Sequence, residues 1–211
     1  MDKELIFIRH GRQTTKDCNL DVPLSDIGRR QAELLGRSLE GNVFDCIYTS
    51  DYIRALETTE IINSHLGLPV ITRPGLREID WGILTGLSPE ELYEKYEHME
   101  DRYLCLEDYT NPGGESGQDV FDRVKPVIDE MIAGDGKRIL VVTHGGTIRA
   151  IICGLLGIPM RFRLAFGVTI DNTSLTEIRY DSKLDHFSLE RFNDYSHLMS
   201  DPSLLKKNWR A

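Results

Sequence analysis

The first uninterrupted apolar run of the chain, Leu5-Ile6-Phe7-Ile8, has the length of a buried strand and ends at Arg9-His10-Gly11. Ser25 then stands as an N-cap before residues 28–39, which predict a helix. Residues 43–48 predict a second strand. Residues 51–66 carry Ile53, Leu56, Ile61, Ile62 and Leu66 in a rough helical stripe that Gly67 and Pro69 stop. A short strand over 70–72 follows. Ser88-Pro89-Glu90-Glu91 joins an N-cap serine, a proline at the first helical position and a glutamate three residues after the cap, so it opens a helix that runs to about Met99. After the turn cluster Asn111-Pro112-Gly113-Gly114, residues 118–133 predict a long helix adjusted near its first turns by Pro126. Residues 138–143 read as a strand, 147–156 as an apolar helix, and 174–180 and 186–193 as two last strands.

Strands and helices therefore alternate, which predicts an α/β domain: a three-layer α/β/α sandwich with a mostly parallel central sheet. No linker divides the chain, so 1–211 is expected to be one domain, with a helical insertion at about 81–119. Composition narrows the partners. With 25 Lys+Arg against 34 Asp+Glu the formal charge is −9, which argues against the clustered basic surface that nucleic-acid binding needs. The longest nearly apolar stretch, 150–160, falls far short of the ~20 residues that span a bilayer, and charge interrupts the N-terminal apolar run, so neither a membrane span nor a signal peptide is expected. Cys18, Cys46, Cys105 and Cys153 are scattered with no paired spacing. They predict structural thiols in a reducing, cytoplasmic setting.

Two segments share a chemistry. LIFIRHG and ILVVTHGG each run an apolar strand into His-Gly. Ligands in open α/β sheets sit at the carboxyl ends of strands, so His10 and His144 are placed to meet in one crevice. Either histidine alone fits an ordinary structural residue equally well. Arg9 beside His10 cannot lose its proton, and the glycines after each histidine let backbone N–H groups approach an anion, so the pair suggests an oxyanion pocket. Arg54, on the first turn of the helix after the 43–48 strand, falls near the same end; a surface salt bridge is its other reading.

These residues resemble the histidine phosphatase superfamily, the group that includes the cofactor-dependent phosphoglycerate mutases. The resemblance runs through Arg9-His10-Gly11, Pro23-Leu24-Ser25 with Gly28 and Gln31-Ala32, Tyr48-Thr49-Ser50 with Arg54-Ala55 and Glu57-Thr58, Leu76-Arg77-Glu78 with Trp81-Gly82, Pro112-Gly113-Gly114-Glu115-Ser116 and Thr143-His144-Gly145-Gly146, in the family's order. It implies a phosphoglycerate mutase-like α/β/α fold. It also implies that His10 is the nucleophile that takes a phosphoryl group, that Arg9, Arg54 and His144 hold the phosphoryl oxygens, and that Glu78 is the general acid. Gly11, Asn19 and Gly145 complete the implied phosphate and substrate contacts. Side chains then supply the positive charge, so no metal and no cofactor is expected; Arg9 and Arg54 would repel a cation bound by His10, His144 and Glu78.

The chain departs from the family after Arg-His-Gly. In Arg12-Gln13-Thr14-Thr15-Lys16-Asp17-Cys18-Asn19 the spacing is shifted, so Gln13 or Thr14 is an alternative to Asn19. His65, His98, His186 and His197 match nothing in the motif set and are expected at surfaces or helix faces. The insertion is modest and offers few basic residues, Lys95 and Arg102, whereas a mutase needs basic residues to clasp the carboxylate of phosphoglycerate. That favours water as acceptor: a phosphomonoester hydrolase acting on a small phosphorylated metabolite. Sugar phosphates, phosphoglycerates, nucleotides and ribazole phosphate are all substrates of relatives. Tyr93, Tyr96, Tyr103 and Leu104 fit a wall of the substrate cap or core packing. The alternatives are a cofactor-dependent mutase and a catalytically decayed phospho-ligand binder. A nucleotide loop at Gly145-Gly146 lacks both glycine-rich signatures. Nothing marks an oligomeric surface.

Overall fold

The computed structural model describes residues 1–95, 108–166 and 170–205. In chain order the elements are β1 (Lys3–Arg9), α1 (Asp26–Leu39), β2 (Cys46–Thr49), α2 (Ile53–Leu66), β3 (Val70–Thr72), α3 (Pro89–Lys95), α4 (Gly117–Ala133), β4 (Arg138–Thr143), α5 (Gly145–Leu156), β5 (Leu175–Asp181) and β6 (His186–Asp194). The six strands form one sheet in the order β3-β2-β4-β1-β5-β6. The first four run parallel, and β5 and β6 are antiparallel. The sheet is thus mixed, the antiparallel pair forming one side of a parallel core.

The period of two in a strand explains the layers. Leu5 and Phe7 of β1, with Ile139 and Val141 of β4, face one way and pack on Val120, Val124 and Ile128 of α4 and Ile148, Ile151 and Ile152 of α5. Ile6, Ile8, Leu140 and Val142 face the other way, onto Leu35 and Leu39 of α1 and Ala55 and Ile62 of α2. Because both faces are covered, these strands read as continuous apolar runs without polar alternation. Each fully buried Leu, Ile or Phe contributes about 1.5–3 kcal/mol of transfer free energy.

Boundaries moved where side-chain chemistry overrides hydrophobic pattern. The second strand begins at Cys46 rather than residue 43, because Val43 is exposed and Asp45 turns its carboxylate to accept the N–H groups of Lys137 and Arg138, at 2.7 and 2.9 Å. The last helix of the parallel core starts at Gly145, two residues before the apolar pattern begins, since glycines carry no periodic signal. Ser88 and Glu91 form the expected reciprocal cap, at 2.8 and 3.2 Å, and Ser116 with Asp119 forms a second. Within 81–119, Tyr93 is 77% exposed and forms no packed wall. Tyr96, His98, Arg102, Tyr103, Leu104 and Cys105 lie outside the described residues.

α1 and α2 are fastened at one end by His65. Its ring lies against Gly36, where a Cβ would come within 2.5 Å of Cδ2, and its two nitrogens meet Glu40 Oε1 at 2.7 Å and Glu33 Oε2 at 3.1 Å. Hydrogen bonding to Glu33 and then Glu40 raises its pKa above the ordinary value. A raised folded-state pKa stabilises fully below the unfolded value of about 6.5 and is lost as pH rises through the folded one. The melting-temperature advantage of wild type over His65→Gln should therefore be larger at about pH 6 than at about pH 8.5; a gap independent of pH would show that the cluster contributes no charge-dependent stability.

Candidate active site

Parallel pairing sets the site. Arg9 of β1 is in register with Thr143 of β4, so His10 and His144, each the next residue, emerge side by side, and the His10 N–H donates to the Thr143 carbonyl at 2.9 Å. Thr49 of β2 is in register with Val142, which brings Ser50 to the same end. The imidazole centroids of His10 and His144 lie 5.0 Å apart. Both rings are almost wholly buried, and the turn after Ile170 clamps the end of β1. There Asn172 Nδ2 donates to the His10 carbonyl at 2.8 Å, and Thr173, in the left-handed region at φ 60°, donates its N–H to the Arg9 carbonyl at 2.8 Å.

The two ring nitrogens of His10 have different partners. Nδ1 meets the Gly11 carbonyl at 2.7 Å, and Nε2 meets Arg54 Nε at 3.2 Å. A carbonyl only accepts and a guanidinium only donates, so the proton belongs on Nδ1 and the lone pair on Nε2. Gly11 is itself fixed: its N–H donates to Thr58 Oγ1 at 3.0 Å, and a Cβ would strike the Gly28 carbonyl at 2.6 Å. Gly11 therefore stands as the residue that orients His10, its N–H already engaged.

Arg54 is 2% exposed, so it is a buried cation, and its Nη1 keeps a long ion pair, 3.8 Å, with Oδ1 of the exposed Asp21. The residue is the second of α2, and its guanidinium donates to the Leu20 carbonyl at 2.8 Å and to Asn19 Oδ1 at 3.4 Å, with Tyr52 stacked 4.8 Å beneath. Asn19, at φ 50°, also donates Nδ2 to the Ile79 carbonyl at 3.1 Å, so it ties Arg54 to the loop after Glu78. Gln13 and Thr14 turn elsewhere: Gln13 donates to the Thr15 carbonyl, and Thr14 is exposed. Arg9 donates Nη1 to the Ile170 carbonyl while its buried Nε has no partner among the described residues. Burial pulls Arg9 down to about 10 and lowers Arg54, and the charge of Glu78 works against both shifts.

His144 is the N-cap of α5. Its Nε2 lies 2.9 Å from Ser50 Oγ, and its buried Nδ1 has no partner among the described residues. Burial, then His10, Arg54 and Arg9, pushes its pKa well below the ordinary value, so it rests neutral. Glu78 completes the arrangement from the loop after β3. Its Oε2 accepts the Gly146 N–H at 3.3 Å, and Oε1 accepts those of Thr147 and Ile79 at 3.2 and 2.9 Å. The first turn of α5 thus holds the carboxylate as a helix N-terminus holds any anion. Gly145 brings that turn against Arg9, whose Nε would lie 3.5 Å from a Cβ there.

Two guanidinium groups, two imidazoles and one carboxyl group thus gather at the carboxyl end of the parallel strands, a chemistry suited to a tetrahedral dianion beside a ring nitrogen. The model of the histidine phosphatase superfamily (branch 1) matches residues 5–195. The chain belongs to the histidine phosphatase superfamily. It is 32% identical to a 2,3-bisphosphoglycerate-dependent phosphoglycerate mutase of Methylocella silvestris, over 84% of this chain and all of that one. It is 33% identical to phosphoserine phosphatase 1 of Hydrogenobacter thermophilus, over 85% of this chain and 88% of that one. Its structure superimposes on mycobacterial glucosyl-3-phosphoglycerate phosphatase with a TM-score of 0.81 at 27% identity, covering 92% of this chain and 99% of that one. Members of this superfamily are enzymes of phosphate-ester chemistry, phosphatases and mutases.

Several working residues had no role assigned from sequence. Ser50 and Thr58 lie inside the family motifs, yet only the register of β2 and the packing of α2 show that they meet His144 and Gly11. Tyr52 and Asn172 carried no signal. His197, expected at a surface or helix face, is instead partly buried against Thr173 Oγ1 at 3.0 Å, and burial pulls it down to about 4. Among the described residues no group of three or more His, Cys, Asp or Glu could hold a metal ion, and no helix is long and apolar enough to cross a membrane.

Burial lowers the His144 pKa most and the neighbouring cations add to it, so an anion between the arginines offsets that second part and raises its proton affinity. Sulfate, which does not titrate near neutrality, is expected to bind at about pH 6 with net proton uptake, read by calorimetry in two buffers of different ionisation heat. The uptake should vanish in His144→Gln; sulfate binding without it in wild type would place His144 outside the anion's field.

Proposed function

We propose that the chain is a phosphomonoester hydrolase that works through a phosphohistidine on Nε2 of His10. The observation that carries this reading is the pair of opposed contacts on that ring, Gly11 oxygen on Nδ1 and Arg54 nitrogen on Nε2. They leave the Nε2 lone pair facing the Arg54 guanidinium. When a substrate dianion enters, the Arg54 and Arg9 N–H groups turn to its oxygens, and Nε2 attacks phosphorus. The N–P bond forms as the P–O bond to the alcohol breaks, and Glu78, having taken a proton from solvent, passes it to the leaving oxygen. Water then attacks the phosphoryl group in line and loses its proton to Glu78. The N–P bond breaks, Nε2 recovers its lone pair and phosphate leaves. Positioning and charge neutralisation are most of what phosphoryl transfer demands, and here side chains supply both, without metal or cofactor.

Water as acceptor is supported by the mouth. Arg77, the cation beside Glu78, is held by both oxygens of Asp51 and stacked on Tyr52, so it is not offered to a substrate carboxylate. A mutase reading is favoured by similarity to several relatives named as 2,3-bisphosphoglycerate-dependent phosphoglycerate mutases, that of Methylocella silvestris over its whole length. The substrate class proposed is a small phosphorylated metabolite, the chain acting as a single cytoplasmic domain.

Phosphate release from a panel of metabolite monoesters in EDTA, beside a separate 3-phosphoglycerate isomerisation assay, tests the proposal. Release that survives EDTA and falls at least about 10³-fold in His10→Ala is the expected result. Isomerisation without release would install the mutase reading, and binding without either would mark a decayed enzyme. Glu78→Gln should slow alkyl esters by about 10²-fold or more and activated aryl esters far less, since only poor leaving groups need the proton.

A further inference from the structure

Arg123, on the second turn of α4, stands behind the loop that carries Glu78. Its Nε and Nη2 form a bidentate fork on Glu115, at 2.7 and 3.0 Å. Nη1 donates to the Gly75 carbonyl at 2.7 Å, and Nη2 donates also to the carbonyl of Glu78 itself at 2.9 Å. Glu115 grips the same loop further on: its Oε2 accepts the Asp80 N–H at 2.8 Å, and its own N–H donates to the Asp80 carbonyl at 2.9 Å. The fork therefore touches the loop before, at and after the acid. The approach is close enough to exclude side chains on both sides: a Cβ on Gly75 would lie 2.8 Å from the Arg123 carbonyl, and one on Gly114 would lie 2.6 Å from the Asp80 carbonyl.

Among the described residues, the hydrogen bonds of the Glu78 carboxyl group run to peptide N–H groups of residues 79, 146 and 147 and to the Thr147 hydroxyl. Its place over the crevice is thus set by where its main chain is held, and a flexible three-bond side chain carries any loop shift to the proton. A misplacement of about 1 Å at a reacting group costs on the order of 10²-fold in rate. We infer that Arg123 and Glu115 are positioning residues for proton delivery to the leaving group, acting through the backbone of Glu78. This rests on Glu78 being the proton donor. A planar guanidinium fork suits the task better than an ammonium, because it fixes orientation as well as charge.

The test compares Arg123→Lys and Glu115→Gln with wild type, each with and without Glu78→Gln, on p-nitrophenyl phosphate and on the best alkyl monoester of the panel. The expected result is a kcat loss of about tenfold or more on the alkyl ester, about twofold or less on the aryl ester, and KM little changed on both. In the Glu78→Gln background either substitution should change the alkyl-to-aryl ratio by less than about twofold, because the group it positions is gone. Equal losses on both esters, or full additivity with Glu78→Gln, would overturn the inference and leave the fork a stabilising contact. Should Arg123→Lys fail to fold, Glu115→Gln, which keeps an oxygen for the Asp80 N–H, decides alone. A Glu78→Gln enzyme with equal losses on both esters removes the donor and the positioning role together; a selective Glu78→Gln with unselective fork variants removes the positioning role only.

Discussion

The register between β1 and β4 is the constraint on which the site depends. Arg9 opposite Thr143 puts two histidines from distant parts of the chain at the carboxyl ends of the two central strands, with ring centroids 5.0 Å apart. A slip of one residue in β1 would turn Leu5 and Phe7 toward α1 and α2 and send Ile6 and Ile8 to the opposite layer. Because both layers are close-packed, that slip is opposed by the whole core and not by the site itself. The apolar alternation of two strands thus guarantees a polar geometry that contributes nothing to its own placement. The neighbouring β2 adds Ser50 by the same logic, one residue past Thr49.

What this scaffold holds is electrostatically costly. Two arginines are taken from water beside two histidines, and burial lowers both guanidinium groups while it keeps His144 neutral. Carbonyl oxygens of Leu20 and Ile170, the Asn19 amide and the charge of Glu78 offset part of that cost. A dianion would offset more, and in a partly desolvated crevice its attraction to fixed donors is stronger than in water.

The fold was largely legible because its signals are periodic. Strand 138–143 and the helix stopped by Gly67 came directly from apolar runs and turn residues, and the observed β4 and α2 end where those signals end. The mixed character of the sheet was not, since nothing in residues 174–193 states the direction in which a strand pairs. At the site, His10, His144, Arg9 and Arg54 stood at ends of predictable elements and Glu78 came only from the family resemblance, and the structure gathers them. Their supports were not legible. Ser50, Thr58 and Asn172 act through short polar contacts whose partners lie 94, 47 and 162 positions away, and local pattern carries no information on such pairs.

Glu78 shows how one local feature redirects the whole site. A glycine-rich turn opening a helix is an anion cradle, and α5 begins with Gly145-Gly146 directly after His144. Here the N–H groups of Gly146 and Thr147 already hold a carboxylate of the protein. The turn therefore serves the proposed acid instead of the phosphoryl group, which explains why a nucleotide-loop reading of Gly145-Gly146 has no geometry to support it. With the helix N-terminus engaged, neutralising charge must come from side chains, and Arg9 and Arg54 are the cations that β1 and α2 deliver. Burying two arginines is thus the counterpart of giving the helix to the carboxyl group, and it places donor and acceptor chemistry on opposite elements around one lone pair.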